Sequence, residues 1–154
     1  MPPISERLFP VKQETYTSDD YDTPKWIFDA LKIEFDLDVA CPVDGPRHTP
    51  CKKYFTQEDD GLAQKWHGRV FMNPPFSHTN NWAIRFIEHA NGICLVPMSQ
   101  SKWFDKLWQT ADAVVALPPN LKFVQGKIFM PTVLCGYGAS NVDALQKSQI
   151  GRVR

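Results

Sequence analysis

The sequence lacks any apolar run approaching the length of a membrane span, because Glu, Lys, Asp or Pro interrupts every hydrophobic stretch. A spanning helix needs about 20 such residues, so no membrane association is expected. The opening MPPISERLFPVKQ has neither an apolar core nor a small-residue cleavage site. That argues against a secretion signal and predicts an intracellular protein. An excess of charge of one sign is missing too. The 17 Lys and Arg balance 17 Asp and Glu, so the chain is not a general polyelectrolyte binder. Any nucleic-acid contact has to come from a local patch.

Cysteine is sparse, at 4 residues. Cys94 in GICLVP and Cys135 in TVLCGYG read as small hydrophobes on buried strands. Cys41 and Cys51 flank a loop containing His48, but the spacing matches no zinc pattern and no second paired cluster exists. No metal is expected. What the chain does have is aromatic side chains, 5 Trp and 10 Phe, spread along its length as anchors for several elements. With 43% hydrophobic and 22% charged residues it falls in the ordinary globular range. Its 154 residues suit one core. Residues 1–20 read as a flexible arm and 21–154 as a single domain.

The order of elements follows from periodicity. Thr23-Pro24 reads as a helix start, with a hydroxyl in the capping position and proline in the first turn. Trp26, Ile27, Ala30 and Leu31 follow at helical spacing. The alternation from Glu34 to Ala40 predicts a strand, which runs into a Pro/Gly-rich loop at 42–50. Residues 51–66 read as irregular, with a short strand at Tyr54-Phe55. Further strands are expected at Arg69–Met72, Ile93–Val96, Ala113–Leu117 and Val133–Tyr137. Helices are expected around Trp82–Ala90 and Trp103–Trp108, with a hairpin about Gly126 in 121–129 and a polar terminal helix at Asn141–Ser148. Strands alternating with helices predict an α/β fold with a mainly parallel sheet and helices on both faces. Such sheets bind ligands at the carboxyl ends of their strands.

At one such end stands the sharpest motif, Asn73-Pro74-Pro75-Phe76. Methylating an exocyclic amine poses a particular problem, since the nitrogen's lone pair is delocalised into the ring. Acceptors on its hydrogens draw it toward a tetrahedral shape and free that pair. An Asn side-chain carbonyl and the next residue's backbone carbonyl are two such acceptors. Two prolines stiffen the loop, and the Phe76 ring is suited to stacking on a base, worth about 1–3 kcal/mol.

NPPF resembles the catalytic tetrapeptide of amino-methyltransferases. The span from Tyr21 to Tyr137 is similar to the phage-type DNA N6-adenine methyltransferases (the phage Dam-like family). The likeness rests on Tyr21-Asp22-Thr23-Pro24, Leu37-Asp38-Val39-Ala40, Tyr54-Phe55-Thr56, Asp60-Gly61-Leu62 with Trp66, NPPF with Trp82, Leu95-Val96-Pro97, Lys102-Trp103-Phe104 and Leu121-Lys122-Phe123. It implies a compact class I, Rossmann-like methyltransferase fold. It also implies S-adenosylmethionine as donor, S-adenosylhomocysteine as product, and adenine in DNA as acceptor. A phage- or prophage-encoded enzyme acting in the cytoplasm of a bacterial host, in restriction-modification or a related role, fits that likeness.

The residues suggest a donor pocket. Asp38 ends the first strand, where its carboxylate would face the methionine amine or order the loop carrying it. Ala40 and Cys41 are small enough for close approach. Asp60 would accept from the donor's adenine amine with Leu62 on the ring face, and Thr23 and Pro24 would lie beside the methionine tail together with Asn73. One departure stands out: Val39-Ala40-Cys41-Pro42 replaces the usual GxG turn, and no acid clearly ends a second strand. Asp44 and Glu58 are the weak candidates for that ribose ligand.

The adenine of double-stranded DNA is out of reach inside the duplex and has to be flipped out. Candidate DNA contacts are Arg47, His48, Lys52, Lys53, His78, Asn80, Lys102, Lys122 and Lys127. A chain this short has little room for a target-recognition domain, so the recognised sequence is expected to be short or loose. NPPF alone also admits an amino-methyltransferase acting on RNA or protein glutamine, or a non-catalytic DNA-binding relic of the fold.

Overall fold

The computed structural model describes residues 22–118, 122–123, 126–127 and 131–154; the proposed arm at 1–20, Tyr21 and Leu121 lie outside them. The first helix, α1 (Lys25–Leu31), buries Ile27, Phe28 and Leu31. Trp26, expected on that apolar face, is instead 41% exposed, because a helix of two turns has room for only one buried stripe. The capping expectation is also corrected. Pro24 occupies the cap position and no side chain caps the helix, since the Thr23 hydroxyl is engaged elsewhere.

Strands β1 (Phe35–Asp38), β2 (Cys51–Tyr54), β3 (Val70–Met72) and β4 (Gly92–Pro97) are followed in space by β8 (Thr132–Tyr137) and β5 (Ala113–Ala116), giving the sheet order β2-β1-β3-β4-β8-β5. Pairings β1–β2, β1–β3 and β3–β4 are parallel, while β8 is antiparallel to both β4 and β5. Only β8 is reversed. A separate two-stranded ribbon, β6 (122–123) and β7 (126–127), pairs Phe123 with Gly126. Gly126 therefore sits in a strand of the expected hairpin rather than at its tip.

Two helices cover each face. On one, α1 and α4 (Ala139–Ser148) bury Ile27, Phe28, Ala144 and Leu145 against Phe35, Phe71, Ile93 and Leu134. On the other, α2 (Thr79–His89) and α3 (Lys102–Thr110) bury Ala83, Phe86, Phe104 and Leu107 against Leu37, Met72, Cys94 and Cys135. All six residues of β4 are buried, as a strand covered on both faces requires. The terminal helix α4 is less polar than its sequence suggests, since Asn141, Ala144 and Leu145 all point inward.

The chain leaves β1 toward β2 on one side and comes back to β3 on the other, so the sheet has a switch point between β1 and β3. The β1–β2 connection, residues 39–50, contains no helix. It is the loop that the Pro/Gly-rich stretch 42–50 predicts. A trio of rings clamps α1 over the switch point, with Phe71 edge-on to Phe28 at 4.9 Å between centres and tilted against Phe35 at 5.3 Å. Such pairs contribute about 0.5–1.5 kcal/mol each beyond their burial. They also fix where the chain just before α1 lies relative to the tip of β3.

Candidate active site at the carboxyl ends of β1 and β3

Residues 73–76 leave β3 at that crevice. Asn73, Pro75 and Phe76 are half-buried and Pro74 is buried. The Asn73 side-chain amide donates from Nδ2 to Thr23 Oγ1 at 3.0 Å. This bond explains why Thr23, only 5% exposed, caps nothing. Downstream, Thr79 Oγ1 donates to the carbonyls of Pro75 (3.1 Å) and Phe76 (3.0 Å), so the proline segment is held at its exit as well as stiffened by its own rings. Phe76 packs part of its ring on the α1/α4 side of the core.

Across the crevice, Asp38 is 3% exposed. Its Oδ1 accepts the Ala40 N–H at 3.1 Å, so the carboxylate orders the turn after β1. Burial pushes its pKa up to about 6, against the bonds from the Thr49 hydroxyl and Ala40, with the negative charge of Asp22 adding to the rise. Asp22, also buried, takes the Arg47 guanidinium on Oδ2 at 2.6 Å. Two carboxylates thus share one poorly solvated corner, with the Arg47 guanidinium on Asp22. A cationic ligand group would be favoured beside them.

A third segment closes the corner. Residues Gly61–Ala63 form a short 3-10 turn, preceded by Asp60 with φ 56. A methyl group on Gly61 would stand 2.2 Å from the Val39 carbonyl and 3.1 Å from the Trp82 ring; only glycine permits this approach. Helix α2 pins the same segment. Arg85 donates to the carbonyls of Leu62 (2.7 Å) and Gln64 (2.6 Å) and lies 4.7 Å over the Trp66 ring. Trp66 in turn donates to the Gly61 carbonyl at 2.9 Å and stacks on Trp82. One helix therefore steadies both the proline loop at its start and the Asp60–Leu62 segment along its side.

Beside the proline loop an open cleft of about 670 Å³ runs between the ends of β3 and β4, a volume in the roughly 300–1,000 Å³ range of ligand pockets. Phe76, His78, Asn80, Ser101, Lys102 and Trp103 line it, so four of the expected substrate-side residues meet there. Met98, 44% exposed, stands at its rim. Lys52 and Lys53 do not join them. They lie on the edge strand β2, with Lys52 3.7 Å from Asp36 and Lys53 over the Phe55 ring. Arg47 is committed to Asp22, with Asp44 3.7 Å away. Lys122 and Lys127 are backbone partners in the β6–β7 register.

Burial drives the Cys41 thiol far above its ordinary range and the Cys51 thiol up to about 11, which leaves both thiols protonated near neutral pH. Among the described residues no three His, Cys, Asp or Glu side chains converge on a metal position, and no helix is long and apolar enough to cross a membrane. Residues that sequence patterns gave no role include Asp22, Thr49, Trp82 and Arg85. The one visible hint was Arg85, three positions after Trp82 and so on the same helical face.

A family described as DNA N-6-adenine-methyltransferase (Dam) matches residues 11–133. The matched span includes Thr23, Asp38, the Asp60–Leu62 segment, residues 73–76 and the cleft. Comparison with curated proteins and with solved structures gives no match.

Proposed function

Because the chain belongs to the DNA N-6-adenine-methyltransferase (Dam) family, we propose that it methylates the N6 amine of an adenine flipped out of double-stranded DNA, using S-adenosylmethionine and releasing S-adenosylhomocysteine. The observation that carries this reading is the Asn73 amide, tethered to Thr23 at the tip of β3 beside the switch point. A class I, Rossmann-like arrangement is the matching interpretation of the fold, supported by five co-directional strands and a crevice where such sheets bind nucleotides.

Pro24, Asp38, Ala40, Cys41, Asp60 and Leu62 form the proposed donor pocket. Their fit rests on chemistry present in the chain: the buried Asp22 and Asp38 carboxylates suit a ligand bearing a cationic amine, and the turn after β1 is small-sided. S-adenosylmethionine supplies a methyl carbon on a positively charged sulfur, a leaving group that asks for no nucleophilic side chain. The chain's own task is to hold the acceptor. The Asn73 side-chain oxygen and the Pro74 carbonyl accept the two N6 hydrogens, Phe76 supports the ring, and Pro75 keeps the acceptors from drifting. As nitrogen gains positive charge, those fixed oxygens stabilise it without reorganising. The N6 proton then leaves to water. The cleft at Phe76, His78, Asn80 and Lys102 is the proposed entry for the flipped nucleotide.

The test is direct: incubate the protein with unmethylated duplex DNA and methyl-labelled donor, then digest the DNA to nucleosides. Label in N6-methyl-2′-deoxyadenosine is expected. Label entering RNA or protein, with none in DNA, would overturn the choice of acceptor.

A further inference from the structure

We infer that a second cleft, on α3, receives the nucleotide next to the target adenine, and that Asp105 makes it select a base bearing an exocyclic amine, adenine or cytosine. The inference rests on the DNA-adenine reading above. This cleft has a volume of about 480 Å³, again within the roughly 300–1,000 Å³ range of ligand pockets. It shares Met98, Ser99, Ser101 and Lys102 with the cleft proposed for the target, so one short stretch of chain divides the two. A flipped nucleotide is joined to each neighbour by a single phosphodiester link, which cannot carry that neighbour far. The adjoining cleft is where it arrives.

The lining suits a base. Met98 and Trp108 are large apolar side chains left 44% and 38% exposed, and both line this cleft. Each is held in place. The Met98 N–H donates to the Pro131 carbonyl at 2.9 Å, while Arg154 lies 4.3 Å over the Trp108 ring and donates to the Trp108 carbonyl at 2.5 Å. Lys102, common to both clefts, stands where the linking phosphate passes. Among the remaining polar groups, the Ser99 and Ser101 hydroxyls and the Gln100 amide each donate and accept, so they do not choose between bases. Asp105 does, because a carboxylate only accepts. Gln109 donates to its two oxygens at 3.1 Å each, and a carboxylate has about four acceptor positions, so capacity remains. Adenine and cytosine carry an NH2 where guanine and thymine carry a carbonyl oxygen, and one amine hydrogen faces the major groove even in an intact pair. The amine is attracted to the carboxylate and the carbonyl oxygen is repelled.

The experiment measures kcat/KM on duplexes that differ only in the two bases flanking a single adenine, for wild type and Asp105→Ala. At one flanking position, wild type should be about tenfold faster with adenine or cytosine than with guanine or thymine. Asp105→Ala should level the four bases, with donor affinity and melting temperature unchanged. Asp105 is exposed, so its truncation does not threaten the fold, and a merely structural role would not move the choice of base. A wild type that methylates every duplex without this preference would overturn the inference alone, as would a preference that survives in Asp105→Ala. A wild type that methylates none of them would overturn the DNA-adenine reading and the inference together.

Discussion

Thr23 and Asn73, 50 positions apart in the chain, meet through a 3.0 Å hydrogen bond that joins the approach to α1 to the tip of β3. The contact spans the switch point of the sheet, and aromatic packing of Phe28 on Phe71 holds both sides of it. A motif that reads as four local residues is thus completed by a residue from a different element.

Asp38 should trade stability for function. Its pKa, ordinarily 3.8, is pushed up to about 6 by burial, so the folded state holds the proton more tightly than the unfolded chain does. The stability this provides is complete below about pH 4 and is lost as pH rises through about 6, a cost of about 3 kcal/mol once the group is ionised. Asp38→Asn, which avoids the ionisation, should melt higher than wild type at pH 8, with the difference closing toward pH 4. The same variant should bind donor more weakly, as should wild type taken below pH 6. A lower melting temperature for Asp38→Asn at pH 8 would contradict this.

The donor pocket also depends on contacts outside it. In Gly61→Ala the new methyl would meet the Val39 carbonyl, a backbone atom that cannot swing aside, so the Asp60–Leu62 segment must shift. Donor affinity measured by calorimetry should weaken roughly tenfold, in line with the about 1–3 kcal/mol that overpacking costs. Arg85→Lys should weaken it too, because one ammonium cannot replace the fork that spans the Leu62 and Gln64 carbonyls.

DNA binding should report on the cleft at the first turn of α3. Lys102→Ala is expected to raise KM for DNA and to lower the slope of log affinity against log salt by about 1, leaving donor affinity intact. Lys52, paired with Asp36 on the far edge strand, is the comparison. An equal loss in Lys52→Ala would route the DNA past β2 instead.

Much of this was legible in the sequence because the signals were local. Buried runs such as GICLVP announced their strands, and NPPF announced chemistry through residue type alone. Thr23 was misread for the opposite reason: a hydroxyl before proline is a strong capping signal, and only tertiary packing reveals that its partner is Asn73. Trp26 was drawn inward by periodicity although α1 has space for Ile27, Phe28 and Leu31 only. The pinning of Asp60–Leu62 by Arg85 arises from long-range contacts that leave no periodic trace. Charge was the least informative cue, since Arg47 and Lys102 look alike in sequence while one pairs with a buried carboxylate and the other lines the cleft.

The most direct measurement is methyl transfer to unmethylated duplex DNA by Asn73→Ala beside wild type, with donor binding followed by calorimetry in both. Loss of one preorganised acceptor predicts a fall in kcat of at least about 100-fold, with melting temperature and donor affinity close to wild type. Undiminished methylation by Asn73→Ala would contradict the account, because the amine would then be held by something other than the loop at the end of β3.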